Sequence, residues 1–587
     1  MSLLQVENLS VHYGDTAAVD NLSFAVAAGE SVGLVGESGS GKTQTALAIL
    51  GLLPKAARAS GTINVEGNNV LGASEAELDR MRAVRAAMVF QDPMQALNPY
   101  LKIGRQISYV LSAHGLAEGK EADARVVAML QRVGLPDPGR QFDAYPHQLS
   151  GGMRQRAMIA SALIAEPALL IADEPSTALD VTVQAQILEL LEDIRDDTAL
   201  LLITHDLGIV AGRCERMLVM EKGRLVEAGK TTTVFSGPQH EHTRELLAAA
   251  PRLDRGDVLA PVAGDEVLAI NSAEVSYLEG RKKQLHAVQQ LSVAVRVGET
   301  VAIVGESGSG KSSLVRAALG LVPLRGGSVV FSGATLHKNL KSRSAAVRRD
   351  LQLVFQDPVS SLNPQMKVQA IVAEPLLVHE PEMSRDDRHD LVGVMLQKVG
   401  LDETYLSRFP HQLSGGQAQR VAIARALVLQ PKVLVCDEAV AALDGSVRKQ
   451  ILQLLAEEQR ESGLAILFIT HDLAVARSIS HRVLVMYLGR LVELANSEDL
   501  FARARHPYTA ALLKAVPVPD PTAAGGYASL SGEVPSIIDP PTGCAFHPRC
   551  AHAQNICTTT RPSTRQLDGV TLACHRAEEI SGSNWRD

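Results

Sequence analysis

Two stretches of the chain could do chemistry by their residue types and spacing alone: Gly36-Glu-Ser-Gly-Ser-Gly-Lys42-Thr43 and its second copy Gly305-Glu-Ser-Gly-Ser-Gly-Lys311-Ser312. Both fit the Gly-x4-Gly-Lys-Ser/Thr phosphate loop. Gly36, Gly39 and Gly41 in the first copy, and Gly305, Gly308 and Gly310 in the second, let the main chain approach an anion closely. Backbone N–H groups around Ser38 and Ser307 can then converge on phosphate. Lys42 and Lys311 can reach the outer phosphates, and the hydroxyls of Thr43 and Ser312 can complete a magnesium shell. The motif alone licenses binding of a nucleoside triphosphate.

Other polar residues recur beside these loops. Met88-Val-Phe-Gln91-Asp92-Pro93 is a buried-strand pattern ending in a polar pair. Gln91 there can touch magnesium or an attacking water from a movable loop, or be a simple strand-end hydrogen-bonding residue. Ser150-Gly151-Gly152 opens a helical run and has anion-binding capacity, although spacing does not assign it to the phosphate served by Lys42. The apolar run Ala168-Leu-Leu-Ile-Ala ends at Asp173-Glu174. Neighbouring strand residues point in different directions, so Asp173 can address magnesium while Glu174 polarises water. His205 tips another apolar strand, where it can hold water or the terminal phosphate or make only a structural hydrogen bond. Tyr13, beside a turn, is either a packing aromatic or a stacking platform for a purine.

The elements that must position these groups follow from periodicity. Ser31-Val-Gly-Leu-Val35 and Thr300-Val-Ala-Ile-Val304 read as buried strands, each passing through its glycine turn into a helix-compatible run. The alternating segments before them predict an antiparallel front sheet. Residues 102–145 shift toward Ala, Leu, Glu and Arg and predict a helical subdomain. The same order returns in the second half as Tyr277, the loop 305–312, Gln356, Ser414-Gly415-Gly416, Asp437-Glu438 and His471. Offsets are 264 for the tyrosines, 269 for the loop lysines, 265 for the glutamines, 264 for the serines and aspartates, and 266 for the histidines. This is a tandem duplication of one fold, joined by a polar linker at 252–268.

At 587 residues the chain is too long for one hydrophobic core. A charge of −8 argues against sequence-independent nucleic-acid binding. No run approaches the apolar length of a membrane-spanning helix, and the N-terminus lacks a secretion-signal layout, so a cytosolic location is expected. Of six cysteines, Cys214 and Cys436 stand alone, whereas Cys544, Cys550, Cys557 and Cys574 group near the end, a cytosolic pattern that favours metal binding over disulfides.

On these ordered motifs, residues 1 to about 515 resemble the ATP-binding-cassette ATPases. The resemblance implies an α/β fold of tandem P-loop cassettes, each with an antiparallel β subdomain and a helical subdomain. It also implies ATP hydrolysis with magnesium at two composite sites. Lys42, Thr43, Gln91, Asp173, Glu174 and His205 would face Ser414, Gly415 and Gly416; Lys311, Ser312, Gln356, Asp437, Glu438 and His471 would face Ser150, Gly151 and Gly152. Tyr13 and Tyr277 resemble the adenine-stacking aromatics. Met153 stands where the second half has Gln417, and Asp437-Glu438-Ala439 replaces Asp173-Glu174-Pro175, but neither departure removes a group with a chemical role.

The expected domains are 1–251 and 269–503 for the two cassettes and 504–587 for a small cysteine-containing extension. Arg505-His-Pro-Tyr508-Thr and the segment Gly543-Cys544-Ala-Phe546-His-Pro-Arg549-Cys550 resemble the C-terminal extension of oligopeptide, dipeptide and nickel importer ATPases; Gln239-His-Glu-His242-Thr is a worn copy. The short linker and acidic balance disfavour the ribosome-associated double-cassette class. The importer resemblance implies two permease subunits docking near residues 92–110 and 357–372, an extracytoplasmic solute-binding protein, and peripheral association with the cytoplasmic face of the inner membrane. The solute class is di- or oligopeptide, with nickel chelates, glutathione and other small solutes as alternatives. The C-x5-C-x6-C-x16-C spacing lacks the short early pair frequent in zinc sites, which favours a [4Fe-4S] cluster over zinc or free thiols. Such a crosslink would stand in for a hydrophobic core.

Overall fold

The structure, a computed structural model, describes residues 2–176, 179–193, 198–250, 252–253, 259, 262–279, 283–441, 443, 445–523, 530 and 532–580. Contacts divide the chain into two units: Met1–Leu179 with Val183–Ala250 and Pro517–Ser529, and Asp180–Thr182 with Pro251–Val516 and Leu530–Asp587.

In the first unit, Ser2–Tyr13 pairs antiparallel with Thr16–Ala27 and Ala57–Val65, and Asn68–Asn69 completes a four-stranded front sheet. Its alternating apolar face packs against a second sheet, burying Leu4, Val6, Leu22 and Val26 with Leu34, Ile49 and Ile171. That second sheet has six strands in the order Arg224–Lys230, Arg216–Glu221, Ser31–Val35, Ala199–Thr204, Leu169–Asp173 and Ala86–Val89. All of its pairs are parallel except the one with the edge strand Arg224–Lys230. Strands covered on both faces read as nearly continuous apolar runs, and Ser31–Val35 and Leu169–Asp173 are buried throughout. The opposite face carries the helices Ile103–Ala113, Gly119–Arg132 and Gly151–Leu163, whose Ile107, Val126 and Ile159 share a core with Ala172 and Leu202.

The second unit repeats the plan. Lys283–Arg296, Glu266–Glu279, Gly326–Phe331 and Ala334–Thr335 form the front sheet. Eight strands form the other sheet: Leu351–Val354, Val433–Asp437, Ala465–Ile469, Thr300–Val304, Arg482–Tyr487, Arg490–Asn496, Val570–Leu572 and Arg565–Leu567. The strand Glu266–Glu279 begins inside the expected 252–268 linker, because Val267 and Leu268 enter the front-sheet core; residues 254–258 and 260–261 of that linker lie outside the described residues. The C-terminal extension also differs from expectation. It joins the sheet through Glu493 opposite Leu572, and Phe546, Val570, Leu572 and Ala577 are buried, so apolar packing anchors it. Among the described residues no helix is long and apolar enough to cross a membrane.

Candidate functional site

Register brings the reactive residues together. In the first unit Val35 lies opposite Thr204 and Asp173 opposite Ile203, so the residues after three parallel strands, the loop from Gly36, Glu174 and His205, leave the same edge of the sheet. Ala86–Val89, parallel to Leu169–Asp173, delivers Gln91 to that edge. Carboxyl ends of parallel strands are where such sheets bind ligands. The second unit places Gly305, Glu438, His471 and Gln356 by equivalent pairings.

Each glycine loop wraps its lysine. Lys42 is buried, and its Nζ donates to the carbonyls of Gly36 at 2.9 Å and Glu37 at 2.8 Å. Lys311 Nζ donates to Gly305 at 2.7 Å and Glu306 at 3.0 Å. The turn demands glycine at two points: Gly41 has φ +99°, and a Cβ there would stand 2.4 Å from the Ala18 carbonyl; a Cβ on Gly305 would stand 2.2 Å from that of Met486. Gly39 and Gly308, with Ser38 and Ser307, lie at the exposed rim.

Behind each loop sits an aspartate. Asp173 is 2% exposed, its Oδ1 has no hydrogen-bond partner among the described residues, and the Thr43 hydroxyl bonds its carboxylate. Burial pushes its pKa up from 3.8 to about 6, helped by the Glu174 charge and opposed by the Thr43 hydrogen bond and Lys42. A buried carboxylate oxygen without a donor, beside a hydroxyl, fits a hard divalent cation, so Thr43 and Asp173 are chemically suited to hold magnesium. In the second unit Ser312 Oγ donates to Asp437 Oδ1 at 2.8 Å, and Arg316 approaches Oδ2 at 3.5 Å. Burial raises Asp437 as well, against the Ser312 hydrogen bond and the Arg316 charge. Arg316 escaped the sequence reading, though its place four residues after Ser312 on the helix Lys311–Ala318 puts the two on one face.

The glutamate after each aspartate is held from two sides. Gln91 Nε2 donates to Glu174 Oε2 at 2.8 Å, and His205 Nδ1 lies 3.1 Å from Oε1. Gln356 Nε2 donates to Glu438 Oε2 at 2.8 Å, with His471 Nδ1 at 3.8 Å from Oε1. Interaction with His471 lowers the Glu438 pKa against burial; burial pulls His471 down, but the Glu438 hydrogen bond and the Glu438 and Asp472 charges together raise it. Both glutamates adopt left-handed backbone, φ +46° and +53°, a conformation costly for a non-glycine residue and characteristic of functional turns. Glu174 N–H donating to Ile203 and Glu438 N–H to Ile469 hold that geometry. An ionised carboxylate so fixed can orient and deprotonate water.

Tyr13 and Tyr277 are tied to the loop helices, the first hydroxyl donating to Gln44 Oε1 at 2.6 Å and the second to Ser313 Oγ at 3.2 Å. Neither helix partner was marked by a sequence motif. Ser150 and Ser414 cap the helices Gly151–Leu163 and Gly415–Leu427, accepting from Met153 N at 3.2 Å and Gln417 N at 3.3 Å. Only the second start has a reciprocal box, Ser414 N donating to Gln417 Oε1 at 3.0 Å. Among the described residues, no hydrogen bond joins Ser150, Gly151 or Gly152 to the loop, Gln91, Glu174 or His205 of its own unit.

The four C-terminal cysteines are gathered but do not form the expected ligand set. Burial raises the thiols of Cys544, Cys550 and Cys574, the last to about 11, with the neighbouring cysteine charges adding. Yet among the described residues no group of three or more His, Cys, Asp or Glu stands in metal-holding geometry, so the side chains do not support the expected [4Fe-4S] or zinc centre.

The family described as ABC transporter matches residues 19–177 and 288–441, and the oligopeptide/dipeptide transporter C-terminal region matches 226–273 and 492–557. The glutathione import ATP-binding protein GsiA of Pectobacterium atrosepticum is 43% identical over 567 residues, covering 89% of this chain and 90% of the relative. The protein of the same name from Escherichia coli K12 shows the same identity and coverage.

Proposed function

The chain belongs to the ABC transporter family as a double-cassette importer ATPase, and from that premise we propose that it drives uptake of short peptides, glutathione among them, by hydrolysing ATP at two composite sites. The observation that carries the hydrolytic part is the duplicated trio in which a glutamine and a histidine flank Glu174 and Glu438. Glu174 and Glu438 orient water and accept its proton, His205 and His471 steady them, and Gln91 and Gln356, which donate to those glutamates, reach magnesium or the attacking water from their loops. Lys42 and Lys311 stabilise charge on the transferred phosphoryl, and Tyr13 and Tyr277 offer a face to adenine. Magnesium, when bound beside Thr43 and Asp173 or Ser312 and Asp437, supplies charge neutralisation between the outer phosphates.

Helix starts such as those capped by Ser150 and Ser414 suit a phosphate, which is the role the composite-site reading gives them. Partner permeases would dock near residues 92–110 and 357–372 and hold the chain at the cytoplasmic membrane face, with a solute-binding protein outside. The names of the relatives favour a peptide-like solute, and the peptide-transporter C-terminal match agrees. The four thiols retain the donor chemistry for a [4Fe-4S] cluster or zinc, whose binding would require deprotonating and regrouping them. The purified chain tests the hydrolytic reading: with Glu174→Gln and Glu438→Gln together, ATP hydrolysis should vanish while ATP binding persists. Wild-type turnover in that variant removes the assigned mechanism. Uptake by vesicles carrying the permeases and binding protein, with labelled dipeptide and glutathione in competition, tests the solute.

A further inference from the structure

The residue after the first glycine of the second phosphate loop is clamped from the far end of the chain. Glu306 is 1% exposed, and Arg549 grips its carboxylate with both guanidinium nitrogens, NH1 to Oε2 at 2.8 Å and NH2 to Oε1 at 3.0 Å. Thr182, in the short segment that clusters with this unit, also donates to Oε1. The N–H of Glu306 donates to the Tyr508 hydroxyl at 3.0 Å, and its carbonyl accepts from Lys311 Nζ. Every polar group of Glu306 is thereby engaged, with the extension on one side and the phosphate-binding lysine on the other. The anchors are buried and packed together. Tyr487, Tyr508 and Phe546 pack with ring centroids 4.7, 5.4 and 5.3 Å apart, and Tyr487 ends the strand beside the one that feeds the loop.

We propose that Arg549 is a positioning residue for the second nucleotide site, through which the folded cysteine-bearing extension sets the ATP affinity of the Lys311 loop and not that of the Lys42 loop. This rests on the reading of both loops as ATP sites. A buried bidentate pair fixes both partners in orientation, and removing one partner leaves an uncompensated buried charge, so the Glu306 backbone, and with it the carbonyl that holds Lys311, follows the state of Arg549. The first unit has the same glutamate, Glu37, but half-buried, and at the register positions of Tyr487 and Tyr508 it carries Glu221 and His242. The clamp also lies within the cysteine segment itself: Arg549 immediately precedes Cys550, and Phe546 is two residues past Cys544. Rearrangement of those thiols therefore moves the residue that holds the loop.

The test uses the full chain with one site left competent at a time. In a Lys42→Ala background, binding of a fluorescent non-hydrolysable ATP analogue should weaken about tenfold or more with Arg549→Met, and likewise with Glu306→Gln. In a Lys311→Ala background, neither change should alter affinity by more than about twofold. The combined Arg549→Met/Glu306→Gln variant should bind about as well as the better single variant, because the loss comes from the orphaned partner. Unchanged affinity at the Lys311 site, equal losses at both sites, or multiplying losses in the combined variant overturns the proposal. Glu306→Gln leaves every residue of the extension intact, so it decides the matter if Arg549→Met unfolds that segment. Failure of the Lys42→Ala protein itself to bind the analogue would refute instead the assignment of an ATP site to the second loop.

Discussion

Replacing Asp173 by Asn should stabilise the nucleotide-free chain at neutral pH while destroying magnesium-dependent ATP binding. Its carboxyl is 2% exposed, one oxygen has no hydrogen-bond partner among the described residues, and burial lifts its pKa from 3.8 to about 6. A group whose folded pKa is raised holds its proton more tightly in the folded state. Its stabilising contribution is complete below the unfolded value and is lost as pH rises through the folded one. Wild-type stability should therefore fall between about pH 4 and pH 6. A rise of that size corresponds to about 3 kcal/mol, an upper bound on the gain, because the new amide N–H2 also needs an acceptor. The Thr43 hydroxyl can still donate to the Asn carbonyl, so the variant should gain about 1–3 kcal/mol at pH 7.5. In a unit of this size each kcal/mol moves the melting temperature by about 2–4 °C. Urea unfolding without nucleotide or divalent ions, at pH 4.5 and 7.5, reads the difference. The gain should appear at pH 7.5 and shrink at pH 4.5. The second site supplies the contrast, since Asp437→Asn strips Arg316 of its partner and should bring no comparable gain. An Asp173→Asn chain no more stable than wild type at pH 7.5, or one with the same pH dependence, refutes this account of the buried carboxyl.

The same geometry sets other outcomes. Gly41→Ala drives a Cβ to 2.4 Å from the Ala18 carbonyl and should abolish ATP binding at the Lys42 site, whereas Gly39→Ala meets nothing within 4 Å and should cost about 1–2 kcal/mol of backbone strain, read by thermal unfolding. Gln417→Ala breaks the reciprocal cap on Ser414 and should lower the stability of the second unit by about 1 kcal/mol in urea titration. Glu174→Gln and Glu438→Gln made separately should leave similar residual ATPase activity if the 3.1 Å and 3.8 Å histidine spacings reflect one working arrangement; a large difference in turnover would establish unequal sites. Anaerobic purification should yield roughly four irons and four sulfides per chain if the terminal thiols hold a cluster, whereas zinc without sulfide identifies the other occupant.

The candidate site groups were legible because parallel strands make them so. Fully buried strands such as Ser31–Val35 and Leu169–Asp173 stand out as short apolar runs, and the first polar residue after each run must lie at the carboxyl edge where ligands bind. Thus Asp173-Glu174, His205 and Gln91 each read as the polar end of an apolar strand, and the register then brings those ends to one edge. The tandem order did the rest, since a second set at offsets of 264 to 269 separates a motif from a coincidence. Pairs across helical turns were partly legible, as Arg316 four residues after Ser312 shows, but a helix face does not say which carboxylate will meet it.

The clamp on Glu306 is of another kind. Arg549 and Glu306 are 243 residues apart, and nothing in the periodicity of either segment marks them as partners. His547-Pro-Arg549 is a turn whose importance depends on the sheet edge at Arg490–Asn496 receiving Val570–Leu572, and on Phe546 entering the aromatic cluster around Tyr508. In sequence the extension is a small cysteine-spaced appendix with few apolar residues, and its cysteine spacing predicts a metal crosslink as what orders it. Apolar packing also anchors it. Once Phe546 and Leu572 are buried, the adjoining Arg549 is taken out of water with them and needs a carboxylate, and the nearest consequence of that need falls on the loop that holds Lys311. Two loops with identical residues from the first glycine to the lysine are thus placed in different surroundings by residues that no motif contains, and the functional difference between them lies at Arg549 and Tyr508.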